Sequence, residues 1–164
     1  MKNNKTKTKT IILCSNYAWT VYNFRLSLIR RLKYAGYRIV IVTQFDGYEE
    51  VLRAEVDYIY DLFISRKGVN PIVDSITFCH LLLIFYRSKA DICLFFTIKP
   101  VIYGALAARL LSIPAIPMIT GLGTGFLADN WITKVVKRLY RIALSSVPTV
   151  FFQNTNDKAL FLDN

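Results

Sequence analysis

The chain has 164 residues, 54% of them hydrophobic, enough for one compact domain with its own core, and this excludes an intrinsically disordered chain. Lys and Arg number 21 against 11 Asp and Glu, a formal charge of +10 that favours phosphates, anionic lipid head groups or nucleic acid as partners. Cys14, Cys79 and Cys93 sit in apolar runs without the close pairing of a disulfide framework or zinc site, and read as buried thiols in a reducing compartment.

Residues 1–9 are a basic tail in which Lys2, Lys5, Lys7 and Lys9 alternate with Asn and Thr. The apolar run that follows is too short for a signal-peptide core, so a cytoplasmic location is expected. Residues 10–14 form a short β-branched strand that stops at Ser15-Asn16, as a strand buried on both faces does. The spacing predicts a helix over 21–35, with Phe24, Leu28, Leu32 and Ala35 on one face, Arg25, Arg30, Arg31 and Lys33 largely elsewhere, and Gly36 to end it. Residues 38–43 read as the second strand, 46–54 as a short helix, and 58–64 as a third strand running into the polar turn Ser65-Arg66-Lys67-Gly68.

Asn70 as N-cap and Pro71 in the first helical position open the next helix. Its apolar stretch, 76–86, is shorter than the roughly twenty residues of a membrane span. With Asn70 and Asp74 upstream, Arg87 and Lys89 downstream and His80 inside, it reads as a packed helix ending near Tyr86. A fourth strand covers 91–97. A small-residue helix from Pro100, with Gly104-Ala105-Leu106-Ala107-Ala108, is suited to close packing on a sheet, and Pro114 leads into a fifth strand over 115–119. A glycine-rich loop at Gly121, Gly123 and Gly125, a helix over 131–145, a strand over 149–152 and a terminal helix over 155–162 complete the chain. This alternation predicts an α/β domain over residues 10–164: a Rossmann-like open parallel sheet with helices on both faces, binding ligands beyond the carboxyl ends of its strands.

Several groups fall at those strand ends. Asn23-Phe24-Arg25 stands where the first strand hands over to the first helix, a place that attracts anions, although Arg25 could equally be a solvated helix residue. The absence of GxGxxG there argues against a dinucleotide site. Thr97 and Lys99 bring a hydroxyl and an ammonium to the start of a helix, suiting a phosphate or sugar; the alternative is a surface lysine in a loop. Gly121 and Gly123 permit close approach of a ligand to the backbone, or an ordinary turn, and no P-loop ending follows. His80, the only histidine, lies mid-helix among large apolar residues and reads as a core or boundary residue, so neither a His-assisted hydrolase nor a metal site is expected. Lys134, Lys137, Arg138 and Arg141 make a basic stripe at i, i+3, i+4 and i+7, opposite Ile132, Val135, Val136, Leu139 and Ile142; it suits either an anionic membrane surface or plain solvent. With no recognition helix or aromatic stacking platform, no nucleic-acid partner is expected.

Five blocks, in order across nearly the whole chain, are Tyr22-Asn23-Phe24-Arg25, Ile64-Ser65-Arg66-Lys67-Gly68-Val69-Asn70-Pro71, Thr97-Ile98-Lys99-Pro100-Val101-Ile102-Tyr103-Gly104, Ile119-Thr120-Gly121-Leu122-Gly123 and Val150-Phe151-Phe152-Gln153-Asn154-Thr155-Asn156-Asp157. Together they resemble the N-terminal domain of family-four glycosyltransferases, in particular bacterial ones that build O-antigen, capsule or related glycans on polyprenyl diphosphate carriers. The resemblance implies half of a GT-B fold. In that fold this half binds the acceptor, and a second Rossmann-like half binds most of a nucleotide sugar, usually a UDP-sugar. Transfer occurs with retention, with no cofactor and no obligatory metal. By position, Asn23, Arg25, Arg66, Lys67, Thr97, Lys99, Gly121 and Gly123 line the cleft, and Gln153 and Asn154, with Asp157, stand on the path to the second half.

The implied partners are a lipid-linked glycan acceptor, the anionic inner face of the plasma membrane and a C-terminal donor domain or donor subunit. The family's paired-glutamate donor motif lies in that second half, which this sequence lacks, so the chain alone is expected to be inactive. The glycine pair common in the first loop of the wider family is replaced by Ser15-Asn16-Tyr17. The alternative is a non-catalytic partner subunit of a split transferase.

Overall fold

The computed structural model of the chain describes residues 8–65, 68–122 and 131–163. Arg66, Lys67, Gly123, Gly125 and the tail up to residue 7 lie outside them. The elements run β1 (Thr10–Tyr17), α1 (Ala18–Tyr34), β2 (Arg38–Gln44), α2 (Glu49–Arg53), β3 (Tyr58–Asp61), α3 (Pro71–Ser88), β4 (Ile92–Phe96), a π-helical turn (Pro100–Gly104) continuing as α4 (Ala105–Leu110), β5 (Ala115–Ile119), α5 (Trp131–Leu144), β6 (Phe151–Phe152) and α6 (Thr155–Leu162). All neighbouring strands are parallel, in the order β3-β2-β1-β4-β5-β6. This is the Rossmann-like α/β sheet that the alternation predicts.

The period-2 alternation of a strand sends successive side chains to opposite faces. Ile11 and Leu13 of β1, with Ile39 and Ile41 of β2, pack under α1 and α2 together with Val21, Ile29 and Leu52. Ile12, Cys14, Val40 and Val42 face the other way, against Leu81, Ile84 and Phe85 of α3, Ala105, Ala107 and Ala108 of α4, and Tyr140 and Ala143 of α5. The small residues after Pro100 bring that segment onto the sheet, and a Cβ added at Gly104 would stand 2.5 Å from the Phe95 ring.

Several boundaries differ from expectation for identifiable reasons. β1 runs on to Tyr17 because a shift of register after Cys14 lets Tyr17 pair with Gln44. β4 starts after Asp91, whose carboxylate accepts the Thr10 N–H at 2.7 Å instead. α1 begins at Ala18, ahead of the expected start, because Asp46 of the β2–α2 loop accepts the Trp19 N–H at 3.1 Å and caps the helix from outside it. Its inward stripe is therefore Ala18, Val21, Tyr22, Arg25, Leu28, Ile29 and Leu32, while Phe24 and Ala35, expected inside, are exposed. Gly36, with φ of 86°, ends α1 as anticipated, with Tyr37 N–H bonded to the Leu32 carbonyl and Gly36 N–H to that of Lys33. α5 is also rotated from the expected face: Thr133, Tyr140 and Ala143 are buried, whereas Ile132 and Ile142 are exposed.

Of the three cysteines, Cys14 and Cys93 are buried and Cys79 is exposed, so the reading of three buried thiols is corrected for Cys79. Burial pushes the Cys14 and Cys93 thiols up, Cys14 further through its neighbour Cys93. A thiol reagent should modify Cys79 alone in the folded protein at neutral pH, and all three after denaturation; mass spectrometry of the labelled protein reads both states.

Candidate functional site

The carboxyl ends of β1, β4, β5 and β6 open into a polar hollow of about 210 Å³ lined by Ser15, Thr20, Phe24, Arg25, Phe96, Thr97, Thr120 and Gln153. Arg25 sits on the core-facing stripe of α1, where the pattern otherwise supplies apolar residues. Its guanidinium lies 4.5 Å from the centre of the Phe96 ring, a cation–π contact, and its Nη1 donates to the Phe24 carbonyl at 2.9 Å. Its Nε is sealed from solvent and has no hydrogen-bond partner among the described residues. Desolvation pulls the Arg25 pKa down from its usual value, but a guanidinium starts so high that it stays charged. A half-buried cation lining such a hollow favours an anion as its ligand.

The hydroxyls around it are oriented. Thr20 Oγ1 donates to the Tyr17 carbonyl at 2.7 Å, so in the 2.7 Å contact between Ser15 and Thr20 the proton comes from Ser15. Thr97 is held at φ of 70°, a left-handed conformation unusual for a β-branched residue, with its hydroxyl bonded to the Phe96 carbonyl. That turn stops β4 and carries the chain into the π-helical segment, a geometry that recurs at functional sites.

Beside the hollow lies a second cavity of about 360 Å³, whose lining includes Asn16, Thr97, Lys99, Tyr103, Thr120 and Gly121. Asn16 Oδ1 is buried there without a partner among the described residues. Gly121 does not take a positive φ, and a Cβ on it would meet nothing within 4 Å. The backbone does not require glycine at that position, and its missing side chain leaves room beside Thr120. A third space, an apolar groove of about 710 Å³, runs between α3, α4 and α5.

Lys99 is the clearest difference from expectation. Instead of standing free for a phosphate or sugar, or on the surface, its Nζ is buried 2.6 Å from Oδ1 of Asp74 in α3. Asp74 also accepts the Asn70 N–H at 3.3 Å. Burial holds the Tyr103 phenol up, helped by the charge of Asp74 and a hydrogen bond to it. Asn23 donates to the Trp19 carbonyl of its own helix at 2.9 Å and is exposed. Asn154 caps α6, accepting the Asp157 N–H at 2.7 Å, while Gln153 reaches the hollow. The structure thus brings Arg25, Thr97 and Gln153 together, with Lys99 and Gly121 in the adjoining cavity, and turns Asn23 and Asn154 to local helix bonding. Arg66, Lys67 and Gly123 fall outside the described residues. His80 is half-buried, and its Nδ1 accepts the Phe63 N–H at 3.4 Å.

The profile of the glycosyl transferase 4-like family matches residues 10–154. The chain belongs to this family. It is 26% identical over 151 residues to the N,N'-diacetylbacillosaminyl-diphospho-undecaprenol alpha-1,3-N-acetylgalactosaminyltransferase of Campylobacter jejuni, covering 88% of this chain and 40% of that one. Among solved structures it superposes on Acinetobacter baumannii MurG with a TM-score of 0.62 at 18% identity, covering 90% of this chain and 42% of that one. A glycosyltransferase of Rickettsia africae gives a TM-score of 0.67 at 17% identity, covering 96% and 40% respectively. The fold is that of one half of a GT-B glycosyltransferase, and the chain spans well under half the length of these relatives.

The strand-end segment Ser15 to Arg25 was expected to face the ligand and does bring Ser15 and Thr20 to the hollow, whereas sequence reasoning missed Asp74, Tyr103 and Phe96. One available signal was Arg25 itself, a cation falling in step with Val21, Tyr22, Leu28 and Ile29 on an inward stripe. Removing the Asp74 carboxylate leaves a buried ammonium unpaired, which costs about 3–5 kcal/mol. Asp74→Ala should therefore lower stability by about that amount in urea unfolding, and adding Lys99→Met should recover most of the loss, because no buried charge then remains.

Proposed function

We propose that this chain is the acceptor-binding half of a retaining glycosyltransferase that moves a sugar from a nucleotide sugar, UDP-linked, to a glycan carried on a polyprenyl diphosphate at the inner membrane face. The observation that carries this reading is Arg25: a half-buried guanidinium in a hollow whose other polar groups are hydroxyls and one amide. A diphosphate answers the guanidinium, and sugar hydroxyls answer Ser15, Thr20, Thr97, Thr120 and Gln153. The family membership supports transfer of a sugar, and the Campylobacter relative is named for a diphospho-undecaprenol acceptor.

The donor comes from a second Rossmann-like half facing the strand ends, in keeping with relatives more than twice as long. Docking is assigned to α5. Trp131, Arg138 and Ile142 share its outer side, with Lys134 and Arg141 alongside, and among the described residues no helix is long and apolar enough to cross a membrane. A basic, partly apolar helix face suits the head-group region of an anionic bilayer.

Arg25→Ala should weaken binding of a polyprenyl-diphosphate-linked N-acetylhexosamine by roughly 10- to 100-fold, the loss of a hydrogen bond to a charged group. Calorimetry in mild detergent measures this, and unchanged affinity would sink the assignment. Co-sedimentation with phosphatidylglycerol vesicles tests the membrane face. Replacing Lys134, Lys137, Arg138 and Arg141 by Gln should remove about 1 kcal/mol of binding per charge, and raising the salt should weaken the wild type similarly.

A further inference from the structure

The large groove between α3, α4 and α5 is not needed by a chemistry confined to strand ends. Its surface is mostly apolar, from residues such as Val69, Phe78, Leu106, Leu110 and Val135, with Ser75 and Arg109 also in its lining, and it is open along one side. Its volume of about 710 Å³ lies within the roughly 300–1,000 Å³ of small-molecule sites. Leu110 stands at its rim, 67% exposed.

Three observations select the occupant. The groove adjoins the cavity at the strand ends, and Val69, Asp74, Tyr103 and Leu139 line both. That cavity in turn meets the Arg25 hollow at Thr97 and Thr120, which line both, so a ligand reaching from Arg25 to the groove is polar at one end and hydrocarbon along the rest. The groove is bordered by α5, whose other flank carries Lys134, Arg138 and Arg141, a charge complement for anionic head groups. Trp131 and Ile142, both exposed, lie on the same outer side of α5 and suit the boundary between head groups and acyl chains.

We propose that the α3–α4–α5 groove holds the head-proximal isoprene units of the lipid-linked acceptor, guiding the chain from the strand-end cavity to the bilayer. The inference rests on the acceptor reading given above and adds a separate site to it. The groove thereby makes the protein a reader of the carrier lipid as well as of its head group. An acceptor with a truncated tail keeps its diphosphate contacts and loses this second set.

The test uses N-acetylglucosamine diphosphate esters bearing one, two, three or four isoprene units, each below its micelle-forming concentration, with binding measured by calorimetry. Wild-type affinity should rise about tenfold per unit until the groove is full, less than complete transfer of five carbons because one side stays open. The Leu110→Asp/Val135→Asp variant should bind every ester with the affinity of the shortest, and its retention of a single reactive cysteine shows that it is folded. Tight binding of all esters by the wild type without dependence on tail length overturns the groove assignment and leaves the acceptor reading standing. Tail dependence that persists in the variant overturns it as well. Failure to bind any ester overturns both readings, and concentration-dependent dimerisation abolished by the same substitutions would assign the groove to a second copy of the chain.

Discussion

The ion pair between Asp74 and Lys99, with the Tyr103–Asp74 hydrogen bond beside it, ties α3 to the segment that leaves β4. Asp74 belongs to the first turn of α3 and Lys99 to the segment leaving β4, and the bond between them is almost fully buried. Such a pair gains little over well-packed apolar residues, but it tolerates no alternative arrangement, since sliding α3 by one turn would strand two charges away from water. The pair thus sets the register of α3 against the sheet. It also positions Tyr103 one π-helical turn further on, and with it the junction between the strand-end cavity and the apolar groove.

Around that fixed point the site divides its labour. Phe96 and Thr97 close β4 in opposite ways: the ring supports the Arg25 guanidinium, and the left-handed threonine turns the chain out of the sheet. Arg25 falls on the inner stripe four residues after Val21, and Asp46 caps the same helix from the β2–α2 loop. A long-range hydrogen bond in the first turn of α1 and the cation thus stand at the same end of that helix.

Much of this was legible in the residues. Periodicity gave the order of strands and helices, and the Asn70-Pro71 and Gly36 signals placed two helix ends correctly. The phasing of α1 was not legible, because its cap comes from Asp46, outside the helix and beyond the next strand. Counting from Val21 therefore put Phe24 inside and missed that Arg25 shares the stripe. The Asp74–Lys99 pair was hidden for a similar reason: each residue looks like an ordinary polar punctuation of an apolar segment until the fold joins them. On α5 the four cations do share one flank, yet the apolar residues expected opposite them divide, with Val136 and Leu139 packed against the core and Ile132 and Ile142 exposed.

The order of strands in the sheet carries a consequence for how the chain is born. β1 is central, but one of its two neighbours, β4, is made long after it: Asp91, which anchors the Thr10 amide, lies 81 positions further along the chain. During synthesis the unit from β1 to β3 can assemble early, while the strongly apolar β1 waits with one edge unpaired until β4 leaves the ribosome. An open parallel edge of that kind invites pairing with other nascent chains.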